Sequence, residues 1–174
     1  CNFRKEIYMV ERQYLAHFID ASFGGAKANY VRLGNDLEEY SEELNPDVQT
    51  KKNILGAQSV KISGYEVQSE VDPFYYENYD DALSEKIMEL ANTRAKGDQC
   101  RTTVVDVLLK PGANPEVDPP TVVWAYKEDA VVVPKSVGGD TTGIQTPFSV
   151  YKVGNRTRGG WDLSKNEFTA GTAA

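Results

Sequence analysis

Thr102-Thr103-Val104-Val105-Asp106-Val107-Leu108-Leu109, followed by Lys110-Pro111-Gly112, sets the architecture. β-Branched residues dominate this run and a Pro-Gly pair ends it, so it reads as a strand. Just upstream the period changes. Leu83, Ile87, Leu90 and Ala91 recur at i, i+4, i+7 and i+8, behind Asp80 and Asp81 at the cap and ahead of Gly97 as a stop. Glu85, Lys86, Glu89 and Arg94 take the opposite face. The spacing predicts one helix that buries a single side against a sheet. Further out, residues 13–19 and 29–33 read as strands, and 59–69 as a strand whose alternation changes phase at Gly64, the mark of a bulge. Towards the C-terminus, 121–126 and 130–134 read as a hairpin turning at Lys127-Glu128-Asp129. Residues 147–153 form a further strand, and 156–168 a last hairpin around Gly159-Gly160. The whole predicts a mainly β chain, a β-sandwich or barrel of two packed antiparallel sheets with one flanking α-helix.

Residues 9–170 read as a single domain, with no repeat or linker. It carries a long loop over 34–58, in which Asp36-Leu37-Glu38-Glu39-Tyr40-Ser41-Glu42-Glu43-Leu44-Asn45-Pro46-Asp47 holds six acids and no base. Loops of that length in a compact domain are mostly functional or mobile. Residues 1–8 lack the apolar core and cleavage site of a signal peptide. Arg4-Lys5-Glu6 can be encoded by a purine run like a bacterial ribosome-binding site, with Met9 at a suitable distance. These residues therefore read either as translated upstream sequence or as a flexible extension. Residues 171–174 read as a frayed tail.

The chain has 174 residues, 40% hydrophobic and 26% charged, enough for one filled core. Its net charge of −7 argues against a dedicated nucleic-acid binder, which needs a Lys/Arg-rich face. No apolar run approaches a membrane span. Two cysteines, Cys1 and Cys100, exclude a disulfide framework and fit a reducing compartment, and a lone histidine, His17, excludes multi-histidine metal sites. No metal, cofactor or catalytic residue is expected. A His17–Cys100 dyad is opposed by the placement of both in predicted strands. Gly138-Gly139-Asp140-Thr141-Thr142-Gly143 lacks the lysine of a phosphate loop and reads as a turn. Glu38-Glu39 and Glu42-Glu43 read as a solvated face rather than as paired catalytic carboxylates. The cluster Phe74, Tyr75, Tyr76, Tyr79 suits a clamp seating the helix, with Phe74 and Tyr75 joining Leu83, Ile87 and Leu90 in the docking core. The alternative is a protein or carbohydrate contact.

Ser59-Val60-Lys61-Ile62-Ser63-Gly64-Tyr65, then Asp72-Pro73-Phe74-Tyr75-Tyr76, the helix from Leu83 to Ala91, Gly97-Asp98 and Thr102-Thr103-Val104-Val105-Asp106-Val107 follow one another in an order that resembles tail tube (major tail) proteins of long-tailed phages and prophages of Gram-positive bacteria. The resemblance covers residues 50–110 well and the flanks only in pattern. It implies a non-enzymatic virion protein that closes into hexameric rings stacked as a hollow tube, made in the host cytoplasm. It also implies a tape-measure protein in the lumen, tail terminator and distal tail proteins as partners, and DNA passing through without specific binding. A long early loop reaching across subunits is implied as well. Asp36, Glu38, Glu39, Glu42, Glu43, Asp47, Lys51 and Lys52 occupy that place here, as a subunit contact, a ring contact or a lumen loop. The anionic balance fits independently, because a conduit for DNA must not adsorb it. Two alternatives are the inner tube of a contractile tail or secretion system and a soluble β-sandwich binding carbohydrate or peptide through the Phe74/Tyr75/Tyr76/Tyr79 cluster.

Overall fold

The structure, a computed structural model, describes residues 9–171. The expectations for residues 1–8 and for 172–174 lie outside the described residues. The chain is mainly β with one helix. Its strands are β1 (Leu15–Asp20), β2 (Tyr30–Leu33), β3 (Pro46–Lys52), β4 (Gln58–Tyr65), β5 (Gln68–Val71), β6 (Arg101–Lys110), β7 (Thr121–Pro134), β8 (Gly138–Asp140), β9 (Gly143–Gln145), β10 (Phe148–Asp162) and β11 (Glu167–Ala170), with α1 (Ala82–Asn92) between β5 and β6.

Seven strands form one antiparallel sheet in the order β11-β10-β7-β6-β1-β2, with β5 pairing β10 on the edge that β11 shares. The two layers expected from the sequence are two limbs of this continuous sheet, which curls. Trp161 of β10 lies 4.5 Å from the ring of Phe18 and 5.4 Å from that of Tyr30, although β1 and β2 are three and four places away in the sheet. A flat sheet would separate them by about 14–19 Å at about 4.8 Å per strand. Each face carries its own core. Ile19, Val104, Val132, Phe148 and Val150 meet Leu83 and Ile87 of α1 on one face, while Phe18, Tyr30, Val105, Val107 and Trp161 cluster on the other. Strand alternation assigns the neighbours Phe18/Ile19 and Val104/Val105 to opposite faces.

Helix α1 starts at Asp81, whose Oδ2 accepts from Ser84 Oγ at 2.6 Å. It stops earlier than Gly97. Arg94 takes a left-handed φ of 53°, and Ala95 N donates back to the Leu90 carbonyl at 3.1 Å. Leu83, Ile87 and Leu90 are buried, and Phe74 meets Phe148 edge-on at 5.1 Å. Two expected turns are strand interior. Lys127-Glu128-Asp129 lies within the unbroken β7, because Glu128 finds cross-strand cations in place of solvent. Gly159-Gly160 lies within β10, where Phe168 crosses over Gly159 so closely that a Cβ would fall 2.5 Å from its ring. The reversal comes at Leu163–Asn166, where Asp162 Oδ1 accepts from Ser164 N and Oγ and from Lys165 N.

Candidate functional site

The 34–58 segment is not one loop. It divides into the rim of a cleft, a strap anchored by the buried Tyr40 and the first half of a projecting hairpin. Among the described residues β3 and β4 pair only with each other, every residue of both is exposed, and together they form an arm standing off the main sheet. Val48 faces Ile62 and Thr50 faces Val60 across the arm, and Ser63 is the extra residue of a bulge beside Gly64. The β-branched residues explain why this segment pairs, although β3 carries no strong alternation of its own. At the tip, Asn53 Oδ1 accepts from Leu55 N at 3.0 Å and from Ala57 N at 2.9 Å, while Gly56 takes a φ of 81° that a side chain would strain. This turn holds Ile54 fully exposed and Leu55 at 87% exposure. Val48, Val60 and Ile62 are also more than half exposed along one face. A lone two-stranded hairpin is marginal in water, and this one leaves five aliphatic side chains in solvent. Its root is fixed: Glu43 and Gln68 exchange backbone hydrogen bonds of 2.8 and 3.0 Å, and Asn45 Nδ2 donates to the Glu66 carbonyl at 3.0 Å.

The strap runs over a buried ion cluster. Tyr40 stacks on His17 with ring centroids 4.5 Å apart, and Arg12 Nη2 donates to the Tyr40 carbonyl at 2.8 Å. The same guanidinium donates to His17 Nε2 at 3.0 Å, so that nitrogen holds a lone pair, and Nδ1–H donates to Asp106 Oδ1 at 2.7 Å. Lys152 Nζ, almost wholly buried, bridges Asp106 and Glu42. Arg156 adds a bond of 3.2 Å to Asp106 and lies 3.8 Å from Glu128. Burial, then the adjoining carboxylate of Asp106, pushes Glu42 up to about 7 against the pull of Lys152. Burial also acts to raise Asp106, but the hydrogen bonds from His17 and Glu42 and the charge of Lys152 outweigh it and hold that carboxyl well below the usual range. His17, Glu42 and Asp106 approach closely enough to hold a metal ion, yet the Lys152 ammonium lies between the two carboxylates and Arg12 takes the imidazole nitrogen, so protein cations fill that role. Both ring nitrogens of His17 being engaged, no base is offered to Cys100. His17, Asp106, Glu128 and Lys152 stand buried in β1, β6, β7 and β10. That recurrence was the available signal for the cluster, which residue-by-residue reading passes over.

Asp36, Glu38 and Glu39 form one rim of a cleft of about 970 Å³, whose other walls are Asp72, Pro73, Tyr75, Tyr76, Glu77 and the Thr142–Ile144 part of the β8–β9 hairpin. The neighbouring Asp36 carboxyl is the chief influence pushing Glu77 up. Tyr75 thus lines this cleft as well as flanking α1. Among the described residues, none of Asp36, Glu38, Glu39, Asp72 and Glu77 is ion-paired, and neither is Lys51, Lys52 or Lys61 of the arm. Of the acidic residues singled out from the sequence, Glu42 sits in the ion cluster, Glu43 at the root bridge and Asp47 at the base of the arm. Lys51 and Lys52 lie just before its tip. No described helix is long and apolar enough to cross a membrane.

No protein-family model matches the chain, and comparison with curated proteins returns no match. Among solved structures, the chain is similar to the sheath/tube terminator of an extracellular contractile injection system, seen by cryo-EM in its extended state, with a TM-score of 0.48 and 8% identity over 87% of this chain and 96% of that one. So slight a likeness carries no part of the argument below.

Proposed function

We propose that this protein is a non-enzymatic, self-associating structural subunit of a tail-like tube, the reading already suggested by the resemblance to tail tube proteins. The observation that carries it is the arm. Five aliphatic side chains stand exposed on a hairpin whose strands pair, among the described residues, with no other strand, and fully burying Ile54 and Leu55 alone is worth about 3–6 kcal/mol. The arm and any surface that receives it differ, so the contact is heterologous. Repeated through identical copies, such a contact closes a ring or continues as a filament. Among the described residues the outer edges of β2 and β11 are unpaired in the main sheet and offer two unlike margins for the same purpose. Stacked hexameric rings with an anionic bore would pass DNA without holding it, since each cation–phosphate contact adds affinity through counterion release. Electron microscopy of the purified protein at high concentration should show rings or tubes. A protein that stays monomeric there refutes the reading.

A further inference from the structure

The arm and the cleft are opposites in charge and alike in their apolar content. Residues 46–65 carry Lys51, Lys52 and Lys61 against the single Asp47, and the cleft is walled by five carboxylates without one lysine or arginine. Successive residues of a strand point to opposite sides, so Lys51 and Lys52 flank the arm on both faces just behind Ile54 and Leu55. The cleft has acids on two sides, at 36–39 and at Asp72/Glu77, with half-exposed Ile144 and the Tyr75 and Tyr76 rings between them. Among the described residues neither Asp36 nor Glu77 has a cation partner. Like charges gathered along one cleft repel each other until a positive group arrives. A second apolar surface is the outer sheet face around Val133, Tyr151 and Val153, where Lys135 already pairs with Glu70 at 2.6 Å and Arg101 is a further cation that offers the arm lysines no gain.

Resting on the self-association reading above, we propose that the arm tip of one copy seats in the acidic cleft of the next, with Ile54 and Leu55 against Ile144 and the tyrosines, and Lys51 and Lys52 against the carboxylates on either side. One arm and one cleft per chain make each copy both donor and receiver, which is what an open-ended or ring-closing series requires.

Mixing singly substituted copies tests the landing site. In a background with Cys1→Ser and Cys100→Ala, copies with Leu55→Cys are oxidised together with copies carrying Ile144→Cys, or in parallel with copies carrying Val133→Cys. A disulfide-linked pair with Ile144→Cys and none with Val133→Cys is expected. Cross-linking at 133 in place of 144, or at neither in a sample that still assembles, overturns the cleft while leaving self-association standing. Independently, Lys51→Glu/Lys52→Glu should weaken association by about tenfold or more, as like charges meet at the rim. Addition of Glu38→Lys/Glu39→Lys copies should restore it, because each reversed arm then finds a reversed cleft. Both variants alter exposed positions, and tryptophan fluorescence checks that they fold. Restoration that fails between folded partners also overturns the proposal. A parent chain that never associates defeats the broader reading instead.

Discussion

Glu42→Gln should flatten the pH dependence of stability. Glu42 has only 19% of its side chain exposed and shares the bridging Lys152 ammonium with the more strongly ionised Asp106. Its carboxyl titrates at about 7 in the folded chain against an ordinary value of 4.5. An acid that is harder to ionise when folded is penalised once ionised. The penalty is absent below about 4.5, grows as pH rises, and is complete above about 7. Integrating between pH 5 and pH 8 gives a loss of roughly 2.5 kcal/mol of stability from this one group, at about 1.4 kcal/mol per unit. Asp106 works in the opposite sense, stabilising wherever it is ionised. Its depressed value puts its transition below this window, so it does not offset the loss. Glutamine keeps the shape and can accept from Lys152 without titrating. Urea unfolding followed by Trp161, which is buried between Phe18 and Tyr30, should show the parent losing about 2–3 kcal/mol more than Glu42→Gln between pH 5 and pH 8. Equal pH slopes in the two proteins would mean that Glu42 is not the strained member of the cluster and that the charge distribution given above is wrong.

Ile54→Asp/Leu55→Asp should abolish assembly seen by sedimentation while leaving the thermal midpoint of the monomer unchanged, because neither side chain touches the core. Ile87→Ala should cost about 2–5 kcal/mol in urea unfolding, since Ile87 is wholly buried in the helix-side core. An effect near zero would mean that α1 is not docked. Gly159→Ala should cost about 1–3 kcal/mol and expose Trp161 to quenchers, because the new methyl meets the Thr169 carbonyl and the Phe168 ring.

Much of the sheet was legible because β1 and β6, buried on both faces, are dense in apolar and β-branched residues and end at turn residues. The helix stood out by its single apolar stripe at period 3.6. β3 was hidden because Pro46-Asp47-Val48-Gln49-Thr50-Lys51-Lys52 holds one strongly apolar residue, Val48, and so shows no alternation, unlike its equally exposed partner β4 with Val60 and Ile62. β7 and β10 were cut short because charged and glycine residues mark turns only when nothing else satisfies them. Glu128 and Lys152 are satisfied across the sheet, and Gly154 and Asn155, both at positive φ, bend β10 at a register shift without ending it. The acidic segment was conspicuous, but its division was not. Tyr40 belongs to the core and Glu42 to the ion cluster, so excising 36–52 as a loop would unfold the protein, whereas the arm from 47 to 64 is the part that can be removed cleanly.

Salt decides between two accounts of how the arm is held. The arm is net positive, so the rest of the chain carries the whole of the −7 and two charges more, and bodies brought together repel while arm and cleft attract. Rim ion pairs contribute about 0–1 kcal/mol each, against about 3–6 kcal/mol for burying Ile54 and Leu55. Charge therefore orients the contact and apolar burial supplies most of its strength. Near 1 M salt the screening length falls to about 3 Å, which removes long-range repulsion and attraction alike but leaves the apolar contact intact. Assembly should thus persist in 1 M salt, while its rate falls as steering is lost. Tubes or rings that dissolve on adding salt would show that the lysines bind and the aliphatic tip does not, reversing the order of importance assigned to them here.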